Sequence, residues 1–130
     1  FTRVPERTAI LDQALSCLLD DLSKRGMLDE TLVVLATEFG RTPNINVNEG
    51  RDHYPKAFSC MLAGGGIRGG QVWGKTDDEG REVIDQRVEI PDLNATIAYC
   101  LGLPLDEIIY SPTRRPFTLS DKGQPLTKLV

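Results

Sequence analysis

Thr31-Leu32-Val33-Val34-Leu35-Ala36 is apolar on both alternating faces and rich in β-branched residues. Such a run predicts a strand in the middle of a sheet covered on both sides, as parallel sheets are. Working back from it, Met27 to Glu30 reads as a turn. Before the turn, Ile10, Leu11, Ala14, Leu15, Leu18, Leu19 and Leu22 recur at a helical period from Pro5 to Arg25, with charge on the other face. Pro5 suits the first turn, Lys24 and Arg25 complement the negative helix end, and Gly26 suits a left-handed cap. A helix leading into a buried strand reads as half of a β-α-β unit. The expected fold is therefore α/β, a mostly parallel sheet flanked by helices, with Leu11, Leu15, Leu18 and Leu22 packed on the sheet.

Forward of the strand the chain turns polar from Thr37 to Pro55, then resumes an apolar run, Ala57 to Ala63, that predicts a second strand. Gly64 to Gly70 has no Lys-Ser/Thr pair and opens no helix, so it is not a P-loop. A tight turn using positive φ is the better reading than an anion cradle. A short strand is expected at Gln71 to Trp73, with Trp73 as a packing residue, and a surface turn at Thr76 to Arg81. Ile90-Pro91-Asp92 opens a second helix with Leu93, Ile97, Cys100 and Leu101 on the face meant for the sheet, ended by Gly102 and Pro104. The tail carries strand-like pieces at Ile108–Tyr110 and Phe117–Leu119 and a turn at Asp121-Lys122-Gly123. Arg114-Arg115 reads as a solvated basic turn.

At 130 residues, 40% hydrophobic and 26% charged, the chain fits one soluble domain, residues 1–130. A chain of this size can bury roughly two-thirds of its unfolded surface. Its net charge of −4, with both signs interspersed, argues against a nucleic-acid partner, which requires a basic face. No apolar run is long enough for a membrane span, and no signal peptide is visible. The chain does not begin with Met and reads as a segment of a longer protein. Cys17, Cys60 and Cys100 are odd in number and widely spaced, which fits buried inert thiols better than disulfides or a zinc site.

The loop after Ala36 holds the chain's most reactive residue types: Glu38, Arg41, Asp52 and His53, the only histidine. In open parallel sheets such a loop, at a strand's carboxyl end, is where ligands bind. Carboxylates and an imidazole suit a divalent metal, and an Arg suits a phosphate or sulfate oxygen. The same residues also fit a polar crossover with a Glu38–Arg41 ion pair and a loop histidine.

Leu32-Val-Val-Leu-Ala-Thr-Glu-Phe-Gly-Arg-Thr-Pro43, Gly50-Arg-Asp-His-Tyr-Pro55 and Leu62-Ala-Gly-Gly-Gly-Ile-Arg-Gly-Gly70 resemble the domain of unknown function 1501 family. Asp29 to Val34 and Pro91 to Ala98 fit the same pattern, so the resemblance covers nearly the whole chain. That family of largely exported bacterial proteins is similar to alkaline phosphatases and sulfatases, and the resemblance implies the C-terminal part of such a domain. It implies a small-molecule phosphate or sulfate ester as substrate. It also implies a divalent metal (zinc, manganese or calcium) in the full-length protein, with none expected in this segment by itself. Glu38 and His53 then stand at metal-ligand positions, with Asp52 as a third candidate, and Arg41 would stabilise the anionic group. Phe39 stands where the superfamily has a His, which subtracts a ligand. A further Asp/His pair is expected before Phe1, and the nucleophile far upstream. The missing N-terminal part is thus an expected partner, and an uncovered sheet edge an expected site of self-association. The alternatives are a degenerate binding or scaffold module and a phosphoryl-moving mutase.

Overall fold

The computed structural model describes residues 3–130. Helix α1 runs Arg3–Lys24 and a short 3-10 turn follows at Leu28–Glu30. Eight short strands succeed them: β1 Val33–Leu35, β2 Gly40–Arg41, β3 His53–Tyr54, β4 Met61–Ala63, β5 Lys75–Thr76, β6 Val83–Asp85, β7 Ile109–Tyr110 and β8 Pro116–Phe117. Helix α2, Ile90–Cys100, lies between β6 and β7, and a final 3-10 turn spans Thr127–Leu129.

The strands form four separate antiparallel pairs: β1 with β4, β2 with β3, β5 with β6, and β7 with β8. The expectation of a mostly parallel sheet flanked by helices is therefore wrong. A parallel pair needs a crossover that returns to the same end of the sheet. Here the chain leaves β1, makes the β2–β3 hairpin and comes back the other way, so that Val33, Val34 and Leu35 face Ala63, Leu62 and Met61. Gly40, Pro43 and the three asparagines of this stretch suit turns rather than a crossover helix. The strand expected at Gln71 to Trp73 forms later, at Lys75–Thr76, where it pairs with β6 across a turn closed by Asp77 N–H donating to the Glu82 carbonyl.

Helix α1 ends as its sequence dictates. Gly26 takes φ +69°, its N–H donates to the Ser23 carbonyl, and the Met27 N–H donates to the Leu22 carbonyl, the paired bonds of a Schellman cap. Its apolar stripe does not reach a sheet. Leu11 and Leu18 are exposed, Leu15 and Leu22 half-buried, and no residue of the helix is fully buried. At 22 residues it still carries charge along its length, and among the described residues no helix is long and apolar enough to cross a membrane.

The fully enclosed part of the molecule is small and sits where α2 meets the C-terminal tail. Ala95, Thr96 and Ala98 are its buried helix residues, joined by Ser120. Thr96 Oγ1 donates to the Asp92 carbonyl (2.7 Å) and accepts from the Leu126 N–H (2.9 Å). Asp92 accepts from the Glu89 N–H and, across the interface, from the Gln124 N–H (2.8 Å). Gly123 lies so close that a Cβ there would stand 2.0 Å from the Pro91 carbonyl oxygen. The face assigned from sequence is only partly right: Leu93 and Ile97 are half-buried, and Leu101 is exposed.

The described chain exposes 10027 Å², against about 6,800 Å² for a compact monomer of this mass. Four separate strand pairs and a helix with no fully buried residue are consistent with that excess. Cys17 and Cys60 are exposed and Cys100 half-buried, so the expected burial of all three thiols does not occur. Neighbouring groups nonetheless strip enough water from Cys60 to push its thiol up; Cys100 is pushed up likewise, against a smaller lowering by a backbone hydrogen bond.

Candidate functional site

The β2–β3 hairpin carries the candidate residues. Its register sets Gly40 opposite Tyr54 and Arg41 opposite His53. Directly opposed residues of an antiparallel pair share a face, with Cβ atoms about 4.5–5.5 Å apart. Arg41 and His53 therefore present a guanidinium and an imidazole side by side, both exposed. The Phe39 ring lies against His53, centroids 4.0 Å apart and tilted by 31°, and the Arg41 guanidinium carbon stands 5.5 Å from the same ring. Gly40 is required for this approach of chain segments, since a Cβ there would meet the Ala57 carbonyl oxygen at 2.1 Å.

The loop between the strands is held by its own polar groups. Thr42 N–H donates to the Asp52 carbonyl, and Asp52 N–H to Thr42 Oγ1, each at 3.0 Å. Asn46 Oδ1 accepts from the N–H groups of Asn48 and Gly50, while Asn46 Nδ2 donates to Asp52 Oδ1 at 2.8 Å. Arg51 donates to the Thr42 and Pro43 carbonyls, and Arg41 Nη1 donates to the Arg51 carbonyl at 3.2 Å. Arg41 keeps further guanidinium donors beyond that one bond, in the fork geometry that suits an oxyanion.

Of the four residues singled out from sequence, the structure brings two together. Arg41 and His53 are paired by register. Asp52 instead braces the loop through Asn46, and Glu38, exposed at a bend ahead of β2, makes no ion pair with Arg41. Among the described residues no group of three or more His, Cys, Asp or Glu side chains could hold a metal ion. A catalytic divalent metal takes three protein ligands as a rule, and Glu38, Asp52 and His53 are not gathered into such a set within this chain. Sequence reading passed over Tyr54 and Asn46. The signal for Asn46 was present, an Asn followed at four residues by Gly in a polar loop, the pattern of a side chain that closes a turn.

The Gly-rich stretch is a turn. Gly64, Gly65 and Gly66 take φ of +69°, +55° and +86°, and a Cβ on Gly64 would stand 2.3 Å from the Thr31 carbonyl oxygen. A cavity of about 490 Å³ lies beyond this turn, lined by Cys60, Leu62, Trp73, Leu93, Leu126 and others. None of Glu38, Arg41, Asp52 and His53 lines it. It is an open, largely apolar trough, and the chemistry-bearing residues lie on the hairpin instead. Arg114 and Arg115 form an exposed turn between β7 and β8.

Fold and site together define a protein of short antiparallel hairpins, one of which carries an exposed Arg–His pair backed by an aromatic ring. The chain belongs to the family described as Protein of unknown function (DUF1501), whose match spans residues 1–130. No curated protein and no solved structure matches it.

Proposed function

We propose that the Phe39–Arg41–His53 face recognises the anionic group of a phosphate or sulfate ester, as the substrate-holding part of an ester hydrolase of phosphatase or sulfatase type. The observation that carries this reading is the Arg41↔His53 cross-strand register. It sets a planar multi-donor cation beside an imidazole that donates at one nitrogen or both, on one solvent-facing surface. The EFGRTP and GRDHYP runs resemble the domain of unknown function 1501 family, and that family's likeness to phosphatases and sulfatases supports the ester class. In this reading Arg41 binds and orients the anion, His53 donates a second hydrogen bond to it, and Phe39 holds both side chains in place. The nucleophile and the metal of such hydrolases are not assigned to these residues, and no step is routed through them.

A second reading, a binding module without turnover, is favoured by one observation. The Phe39 ring packs against His53, centroids 4.0 Å apart, so an apolar side chain and not a second donor lies beside the imidazole. Titration of the protein with inorganic phosphate and sulfate tests anion recognition common to both readings. Arg41→Ala and His53→Ala should each weaken binding about ten-fold or more, the worth of one charge-assisted hydrogen bond. Hydrolysis of aryl phosphates and sulfates then separates them, since turnover lost in Arg41→Ala supports the hydrolase and binding without turnover supports the module. Affinity unchanged in both variants would refute the site.

A further inference from the structure

A two-stranded ribbon with only two bridged pairs is marginal by itself, and β2–β3 is such a ribbon. Something must hold it if Arg41 and His53 are to present one surface. Side chains alternate along a strand, so Tyr54 faces away from the His53 side. Its hydroxyl donates to the backbone carbonyl of Arg81 at 2.9 Å, bridging to the turn between β5 and β6. That turn is itself closed, with Arg81 N–H donating to Asp77 Oδ1 (2.7 Å) and Gly80 N–H to the Asp77 carbonyl (3.0 Å). Two further links from this region to the β5–β6 hairpin are weaker. Arg81 Nη2 lies 3.5 Å from Asn44 Oδ1, and Lys56 pairs with Glu82 at 3.7 Å with both side chains exposed. Exposed pairs of that kind contribute little.

From this arrangement we infer that Tyr54 is a positioning residue of the anion site: its hydroxyl clips the back of the hairpin to the β5–β6 turn and so fixes the spacing of Arg41 and His53. The inference rests on reading the Arg41–His53 face as an anion site. It goes beyond that reading by assigning a group that touches no anion and carries no charge. Because the acceptor is a main-chain oxygen, the clip depends on the Tyr54 hydroxyl and not on the side chain of Arg81.

The experiment compares wild type, Tyr54→Phe, Glu82→Gln and Arg41→Ala in the full protein, each titrated with inorganic phosphate and with sulfate. Amide hydrogen exchange across residues 40–54 and thermal unfolding are followed in parallel. Tyr54→Phe removes one oxygen and should weaken both anions about three- to ten-fold, the range for one net hydrogen bond. It should also speed exchange in the hairpin while the unfolding temperature stays within a few degrees. Glu82→Gln breaks the ion pair between the same hairpins and should leave affinity within about two-fold. Wild-type affinity in Tyr54→Phe, with Arg41→Ala defective, overturns the clip and leaves the anion site standing. An equal loss in Glu82→Gln also overturns it, since any contact between the hairpins would then serve. No binding by wild type overturns the clip and the anion site together.

Discussion

Replacing Thr96 by Val isolates the polar link at the centre of the small core. The two side chains nearly match in volume, and Thr96 is fully buried, so packing reasoning alone expects no loss, or a gain from removing a buried hydroxyl. The hydrogen bonds argue otherwise. The Asp92 carbonyl loses little, because it keeps the i→i+4 bond of the helix. The Leu126 N–H has Thr96 Oγ1 as its partner, and leaving such a donor unsatisfied costs about 1–3 kcal/mol. The added methyl of Val returns up to about 0.8 kcal/mol. The net expectation is a loss of about 1–2 kcal/mol, or a fall in Tm of roughly 4–7 °C for a domain of this size. Thermal unfolding followed by circular dichroism measures it, and amide exchange at Leu126 should accelerate in the variant. Thr96→Ser, which keeps the hydroxyl, should keep Leu126 protected even though it loses a methyl. A Thr96→Val protein at or above wild-type Tm, with Leu126 still slow to exchange, would refute the reasoning.

Gly123→Ala should cost more than 3 kcal/mol or prevent folding, because its Cβ meets main chain at 2.0 Å and backbone cannot swing aside as a side chain does; soluble yield and denaturant melts report it. Gly69→Ala has nothing within 4 Å and no positive φ, so the same melts should show no loss, or a gain of about 0.4–1 kcal/mol. Leu18→Ala should cost about 1 kcal/mol or less, since Leu18 is 47% exposed and a full core truncation costs about 2–5. Partial loss of water to neighbouring groups raises the Cys60 thiol, so the folded state resists forming the thiolate. That contribution to stability is complete below the ordinary thiol range and is lost as pH climbs through it toward the raised value. Iodoacetamide labelling of Cys60 should accordingly need a higher pH in the folded protein than after denaturation.

What the sequence made legible is mostly local. The close of α1 at Gly26, the start of α2 at Ile90, the turn after Thr76 and the left-handed glycines from Gly64 each follow from residues within a few positions. Pairing direction was not legible. A run such as Val33-Val34-Leu35, apolar on both faces, states that a strand forms and says nothing of which way its neighbour runs. Ala95, Thr96 and Ala98 were passed over as core because large apolar residues dominate a periodicity reading, whereas close approach by the tail selects small ones. For the site, sequence placed Glu38, Arg41, Asp52 and His53 in one loop. Only hairpin register decides that Arg41 and His53 meet while Asp52 turns to Asn46.

The excursion between β1 and β4 is closed twice, by the Leu35–Met61 pairing at its base and by the Thr42–Asp52 bond inside it. Val47, at its tip, is 98% exposed. Loop-closure entropy grows only as the logarithm of length, about 0.6 kcal/mol for each doubling. New residues inserted at Val47 are therefore cheap in closure entropy, although they give up the Asn46 bonds to Asn48 and Gly50, and they leave the Arg41–His53 spacing to the strands beneath. A longer or altered tip would change what surrounds the Arg41–His53 face while the pair itself stays in register.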